Sequence, residues 1–99
     1  MTTYAETLRR HRRLSLLRIL AEAPAYEANE SLLTDVVNHF GVTSTRDQVR
    51  TELAWLAEQG LATTEEPGGV RVAKVTQRGL DVAAGRAIHP DVQKPSPRA

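Results

Sequence analysis

The chain is 99 residues long, 40% hydrophobic and 25% charged, with no cysteine and a net charge of +1. That length allows one small domain, and the missing cysteines exclude a disulfide framework, a thiolate nucleophile and a thiolate metal site. No apolar run approaches the roughly 18 residues of a membrane span, and no short apolar segment follows the N-terminal basic cluster as a signal peptide requires, so a soluble cytoplasmic protein is expected.

Tyr4 to about Ala23 reads as a long first helix. Its second half, with Leu14, Leu16, Leu17, Ile19 and Leu20, is apolar around most of its circumference. A helix apolar on two sides touches two things. One is the core; the other is a later helix or a partner subunit. Pro24 ends it, because proline lacks the amide hydrogen and disfavours helix in the residue before it. Asn29 suits the cap of a second helix from about Glu30 to Phe40, in which Leu32, Leu33, Val36, Val37 and Phe40 recur at helical spacing and Gly41 supplies the stop. Ser44 is the expected cap of a third helix, with Asp47 completing an acidic capping box. Val49, Leu53 and Leu56 follow on one face, and Gly60 ends it.

Leu61–Glu66 and Val70–Val75 flank Pro67-Gly68-Gly69, a hairpin signal. Thr76 caps a short fourth helix through about Ala87, and the remaining chain carries Pro90, Pro95 and Pro97 with few large apolar residues. The expected fold is therefore mainly α with a β-hairpin wing, a winged helix-turn-helix over residues 1–87. Residues 88–99 are expected to be a flexible Pro-rich tail that serves at most as a docking peptide.

Arg50-Thr51-Glu52-Leu53-Ala54-Trp55-Leu56-Ala57-Glu58-Gln59-Gly60-Leu61 resembles the third helix of winged-helix regulators of the ArsR and MarR type, whose Leu-x-x-x-Gly-Leu end leads into the wing. Tyr4-Ala5-Glu6, Arg12-Arg13-Leu14, Asn29-Glu30-Ser31, Arg46-Asp47-Gln48-Val49-Arg50 and Lys94-Pro95-Ser96-Pro97 are together similar to a small protein of Mu-like phages and prophages, one often labelled a transcriptional regulator on fold grounds. The resemblance implies a phage protein acting in the cytoplasm of the bacterial host.

On the third helix, Gln48 and Thr51 face outward and suit base edges, since Gln pairs with adenine and Thr meets a thymine methyl. Arg46 and Arg50 flank them, and Arg71 belongs to the wing. The run Arg9-Arg10-His11-Arg12-Arg13 places Arg9, Arg10 and Arg13 in one sector, where they suit phosphate contact with Lys74 and Arg78 as helpers. Double-stranded DNA is the expected partner, and a homodimer through the backs of the first and fourth helices would address two half-sites.

The charge distribution opposes this. Residues 1–20 carry a net +4 and residues 70–99 a net +4, but residues 21–69 hold nine acids against Arg46 and Arg50, a net −7. Acids near a duplex oppose the counterion release that drives binding. Asp47 suits a helix N-terminus; Glu58, Glu65 and Glu66 have no comparable reason. The rival expectation is an interaction module for a phage or host protein, with no base reading and with Trp55 as its contact anchor. His11, His39 and His89 are too scattered for a metal site, and no glycine-rich phosphate loop occurs, so neither a metal, a cofactor nor an enzyme is expected.

Overall fold

The computed structural model describes residues 1–96; positions 97–99 of the expected tail lie outside the described residues. Helix α1 spans Tyr4–Glu22 and is capped by Thr3, whose hydroxyl accepts from the Glu6 amide at 3.1 Å. Pro24 opens a tight turn, Pro24–Tyr26, in which Ala25 and Tyr26 hold φ of 57° and 62°. Strand β1 follows at Glu27–Asn29, and Asn29 at its end caps α2 (Glu30–His39) by accepting from the Leu32 amide at 2.8 Å. Helix α3 covers Arg46–Glu58. Strands β2 (Ala62–Glu65) and β3 (Val72–Val75) form the hairpin, and α4 (Gln77–Ala84) closes the order.

The sheet is antiparallel with order β1-β3-β2. The register sets Ala28 beside Ala73 and Thr64 on the other side of Ala73, so β3 is central. Four helices and a small three-stranded sheet are thus the observed architecture. Strand β1 was absent from the sequence reading, because three residues are too few to show an alternating pattern.

One core serves all the elements. Leu16, Leu17 and Leu20 from α1 meet Leu33 and Val37 from α2 and Val49, Leu53 and Leu56 from α3; Leu61 and Ala73 close it from the sheet side, and all of these are fully buried. Truncating one such leucine to alanine costs about 2–5 kcal/mol. The other apolar side of α1 packs against α4 of the same chain. The two-sided character that suggested a dimer is satisfied internally. It gives no ground for a subunit contact there.

Helix α4 is pressed onto the turn after α3. Thr76 caps it, accepting from Gly79 N and donating to the Gly60 carbonyl at 2.7 Å. A Cβ at Gly79 would lie 2.1 Å from the Leu61 carbonyl oxygen, so only glycine permits this approach. Gly85, at φ 81°, ends the helix earlier than the expected Ala87.

The segment after α4 differs from the expected tail. Val92 is buried among Val82, Ala87 and Ile88, the Gln93 amide donates to the Arg10 carbonyl at 3.2 Å, and Arg13 Nη1 donates to the Asp91 carbonyl at 2.9 Å. The packed domain therefore extends past residue 87 to Gln93. One valine with an apolar seat, with a backbone carbonyl and a guanidinium offered by α1, holds a proline-containing segment in place.

Candidate nucleic-acid interface

The turn between α2 and α3 is built by side chains more than by backbone. Asn38 brackets Ser44, donating to its carbonyl and accepting from its amide at 2.8 and 2.9 Å. The buried Ser44 hydroxyl accepts from Arg12 Nε at 2.6 Å and donates to the Val42 carbonyl. Ser44 is therefore committed to the turn, and Thr45 is the cap of α3. The Thr45 hydroxyl accepts from Gln48 N at 3.1 Å, while Gln48 Oε1 accepts from Thr45 N at 2.9 Å. The capping box is Thr45–Gln48 and not Ser44–Asp47. Its consequence reaches function, because Gln48 Oε1 also lies 3.4 Å from Arg12 Nη2. The carboxamide oxygen expected to meet a base holds the helix start instead.

Arg46 and Arg50 converge on one acid. Glu30, the first residue of α2, is 1% exposed. Its Oε1 accepts from Arg46 Nε at 2.8 Å, and its Oε2 from Arg50 Nη1 at 2.5 Å and from the Arg71 amide at 2.7 Å. Burial alone raises the pKa of Glu30, but the hydrogen bonds from Arg46 and the Arg71 amide, with the charges of Arg50 and Arg46, outweigh it and hold the carboxyl below its ordinary value. Three elements are clipped together by this carboxylate: α2, α3 and the start of β3. No local spacing links residues 30, 46, 50 and 71, so a reading of sequence alone could not see it.

The outer ends of these arginines are differently engaged. Arg50 Nη2 donates to Glu66 Oε1 at 2.6 Å, and Arg71 Nη2 reaches the same oxygen at 3.4 Å. Arg71 Nη1 is anchored on the Arg50 carbonyl at 3.0 Å, while its Nε is buried with no partner among the described residues. Glu66, beside the Pro67–Gly69 turn, has a side chain 43% exposed. The hydrogen bond to Glu66 is the foremost cause raising the pKa of Arg50.

The basic run of α1 splits between interior and surface. Arg12 and Arg13 are buried. Arg13 Nε donates to the buried Glu52 at 2.8 Å, and its guanidinium lies 3.7 Å from the centroid of the Trp55 ring. His89 meets Trp55 edge-on at 5.1 Å. Trp55 is thereby partly covered by α1 and by the C-terminal segment, and it packs against the core. It is a structural residue before it is an anchor. Arg9 is exposed, 3.9 Å from Glu52, and lines a cleft with Arg12, Gln48 and Thr51. Arg10 is partly buried, its Nε without a partner among the described residues.

The remaining candidates do not join one patch. Lys74 is exposed in the middle of the sheet, between Glu27 and Thr63, and Arg78 lies beside Gly60 at the far end of α3. The Thr51 hydroxyl donates to the Asp47 carbonyl one turn back. The outer face of α3 thus presents Asp47, Thr51, Ala54 and Glu58, with the Arg50–Arg71 pair along one edge.

A second surface was not singled out from the sequence. Leu32 and Phe40, 52% and 65% exposed, stand with Val36 along one face of α2, and Phe40 walls a groove with Ile19, Arg18 and Glu22 of α1. The sequence showed these residues at helical spacing but not that α2 has two apolar stripes, of which only Leu33–Val37 is buried.

Comparison with known proteins gives two relatives. The uncharacterized protein gp26 of Escherichia phage Mu is 46% identical over 94 residues, 95% of this chain and 97% of gp26. An uncharacterized protein of Haemophilus influenzae is 46% identical over 79 residues, 79% of this chain and 76% of its own length. No family profile and no solved structure matches the chain. No helix among the described residues is long and apolar enough to cross a membrane.

Proposed function

The chain belongs to the family of the phage Mu protein gp26, and on that premise we propose that it is a winged-helix DNA-binding protein that holds the duplex by its backbone and does not read its bases. The order of elements supports the winged helix: α2, turn and α3 make the helix-turn-helix, and β2–β3 the wing. In such an arrangement the second helix of the pair lies in the major groove and its flanks approach phosphates.

The observation that carries this reading is the pair Arg50 and Arg71. Both guanidiniums are braced from behind, by Glu30 and by the Arg50 carbonyl, and both turn their other end to one exposed carboxylate, Glu66. Charged forks held in advance suit phosphate oxygens. The base-reading half of the expectation has less support, since Gln48 and Arg46 are occupied within the fold. Phosphate contacts carry no sequence information. A role as a transcriptional regulator then draws its specificity from DNA shape or from a partner.

Fluorescence anisotropy with mixed-sequence duplexes between about 50 and 200 mM salt tests the reading. With Arg50, Arg71 and Arg9 at the backbone, a log–log slope of about −3 is expected, at roughly 0.9 per phosphate. Affinity should change little between unrelated sequences. Absence of binding at about 50 mM salt overturns it.

The exposed Leu32–Val36–Phe40 face favours a second reading, a protein-contact module. A contiguous apolar patch on a small domain marks an interaction site more often than chance. Under that reading Phe40→Ser abolishes capture of a phage partner and leaves any DNA binding unchanged.

A further inference from the structure

We propose that Glu66 is an internal counter-ion seated in the phosphate site of Arg50 and Arg71, and that a DNA phosphate binds there by displacing it. This rests on the backbone-binding reading above and assigns its gate.

Arg50 holds two carboxylates that differ in kind. Glu30 is buried, accepts from two donors on α3 and one just before β3, and cannot leave without opening the turn. Glu66 is nearly half exposed, and its carboxylate is held only by Arg50 and Arg71 among the described residues. Its backbone is fixed by the turn, with its carbonyl accepting from Gly69 N at 3.3 Å, so the side chain can swing out by rotamer change alone. An exposed ion pair is worth little, and a DNA phosphodiester offers the same guanidinium edges oxygens of like hardness and the same single charge, reinforced by the neighbouring phosphates of the duplex. Expulsion is therefore easy for a polyanion and hard for a lone small anion.

The arrangement also gives the acidic wing a purpose. With Glu66 seated, the charge of the Arg50–Arg71 edge is partly offset and the face offers Asp47 and Glu58. Non-specific attraction to DNA is then low until a phosphate is brought into contact. An acid that would otherwise oppose binding sets its threshold.

A four-protein cycle tests the gate, using anisotropy with one mixed-sequence duplex on wild type, Glu66→Gln, Arg71→Gln and the double variant. Arg71→Gln leaves the donors to Glu30 in place, because Arg71 reaches Glu30 through its backbone amide. Should it fail to fold by circular dichroism, Arg71→Lys, which keeps the charge and loses the fork, replaces it. Glu66→Gln should tighten binding about threefold to fivefold at about 50 mM salt and leave the salt slope at about −3, because the same phosphates are contacted once Glu66 has moved. In the Arg71→Gln background the gain should fall below about twofold, as coupling between neighbours requires. Equal gain in both backgrounds would reduce Glu66 to a general charge effect and overturn the gate while the DNA reading stands. No gain in either does the same. If none of the four proteins binds duplex at low salt, the DNA reading fails and the gate with it.

Discussion

Replacing Glu30 with glutamine probes the clip that joins α2, α3 and the wing. The side chain is 1% exposed and accepts from Arg46 Nε, Arg50 Nη1 and the Arg71 amide. Glutamine keeps one oxygen, which can serve the Arg50 and Arg71 donors, but turns an amide NH2 toward Arg46. Arg46 is 53% exposed and regains water when released. The loss is therefore that of the negative charge more than of three bonds. Charge-assisted bonds contribute about 1.5–3 kcal/mol each, and removing one partner of a fully buried pair costs about 3–5 kcal/mol. With rehydration of Arg46 the expected cost is about 2–3 kcal/mol, a fall in Tm of about 10–20 °C for a domain of this size. The pH dependence carries a sign. The folded pKa of Glu30 lies below its ordinary value, so its contribution is complete above the unfolded carboxyl pKa, about 4.3. It is lost as pH falls through the depressed folded value. Thermal melts of both proteins from neutral pH into acid should show a gap that is constant above about pH 5 and narrows below it. A variant melting within about 3 °C of wild type at neutral pH, or a gap unchanged through the acid limb, would refute the clip.

Two further outcomes test the packing. Alanine in place of a helical glycine ordinarily stabilises by about 0.5–1 kcal/mol, but at Gly79 the new methyl meets the Leu61 carbonyl at 2.1 Å and Val75 at 2.6 Å, so Gly79→Ala should destabilise by about 3 kcal/mol or more in urea titration. Val92→Asp should detach the C-terminal segment and uncover Trp55, seen as a red shift of its fluorescence with the far-ultraviolet circular dichroism preserved; unchanged emission would show that His89 and Arg13 do not depend on Val92 for their place on the indole.

The elements that announced themselves in the sequence were those governed by local chemistry. Asn29, Thr76, Gly41 and Gly60 punctuate helices because caps and left-handed turns need those residue types at those places. The leucine and valine faces followed from helical periodicity. Ser44 misled, being an equally good cap by type; what decided for Thr45 was the partner at the third helical position, Gln48, and the claim of Arg12 on the Ser44 hydroxyl. The site was far less legible. Its contacts join residues 30 and 50, 13 and 52, and 50 and 66, separations that arise only after the helices pack. The seating of Val92 was hidden for the same reason: one apolar residue among prolines carries no pattern.

The acidic middle of the chain illustrates why regional charge is a poor guide to a face. Of its nine acids, Glu30 and Glu52 are buried partners of arginines and present no charge to a ligand. The corresponding cost falls on the basic side, since Arg12 and Arg13, the centre of the apparent phosphate-binding run, are inside as well. Arg13–Glu52 is buried on both sides and removes one charge of each sign, Arg12 is held by neutral acceptors, and Glu30 is matched by two arginines that reach solvent, so the surface is rearranged while the net +1 is untouched. What remains on α3 is an edge of two braced guanidiniums closed by Glu66 and a face with Asp47 and Glu58. Such a surface is unsuited to reading bases, and under the proposed function a few phosphates engage it once one carboxylate moves. The shape of α3 derives from its core stripe and its capping box; under the proposed function its affinity derives from which of its neighbours' acids can leave.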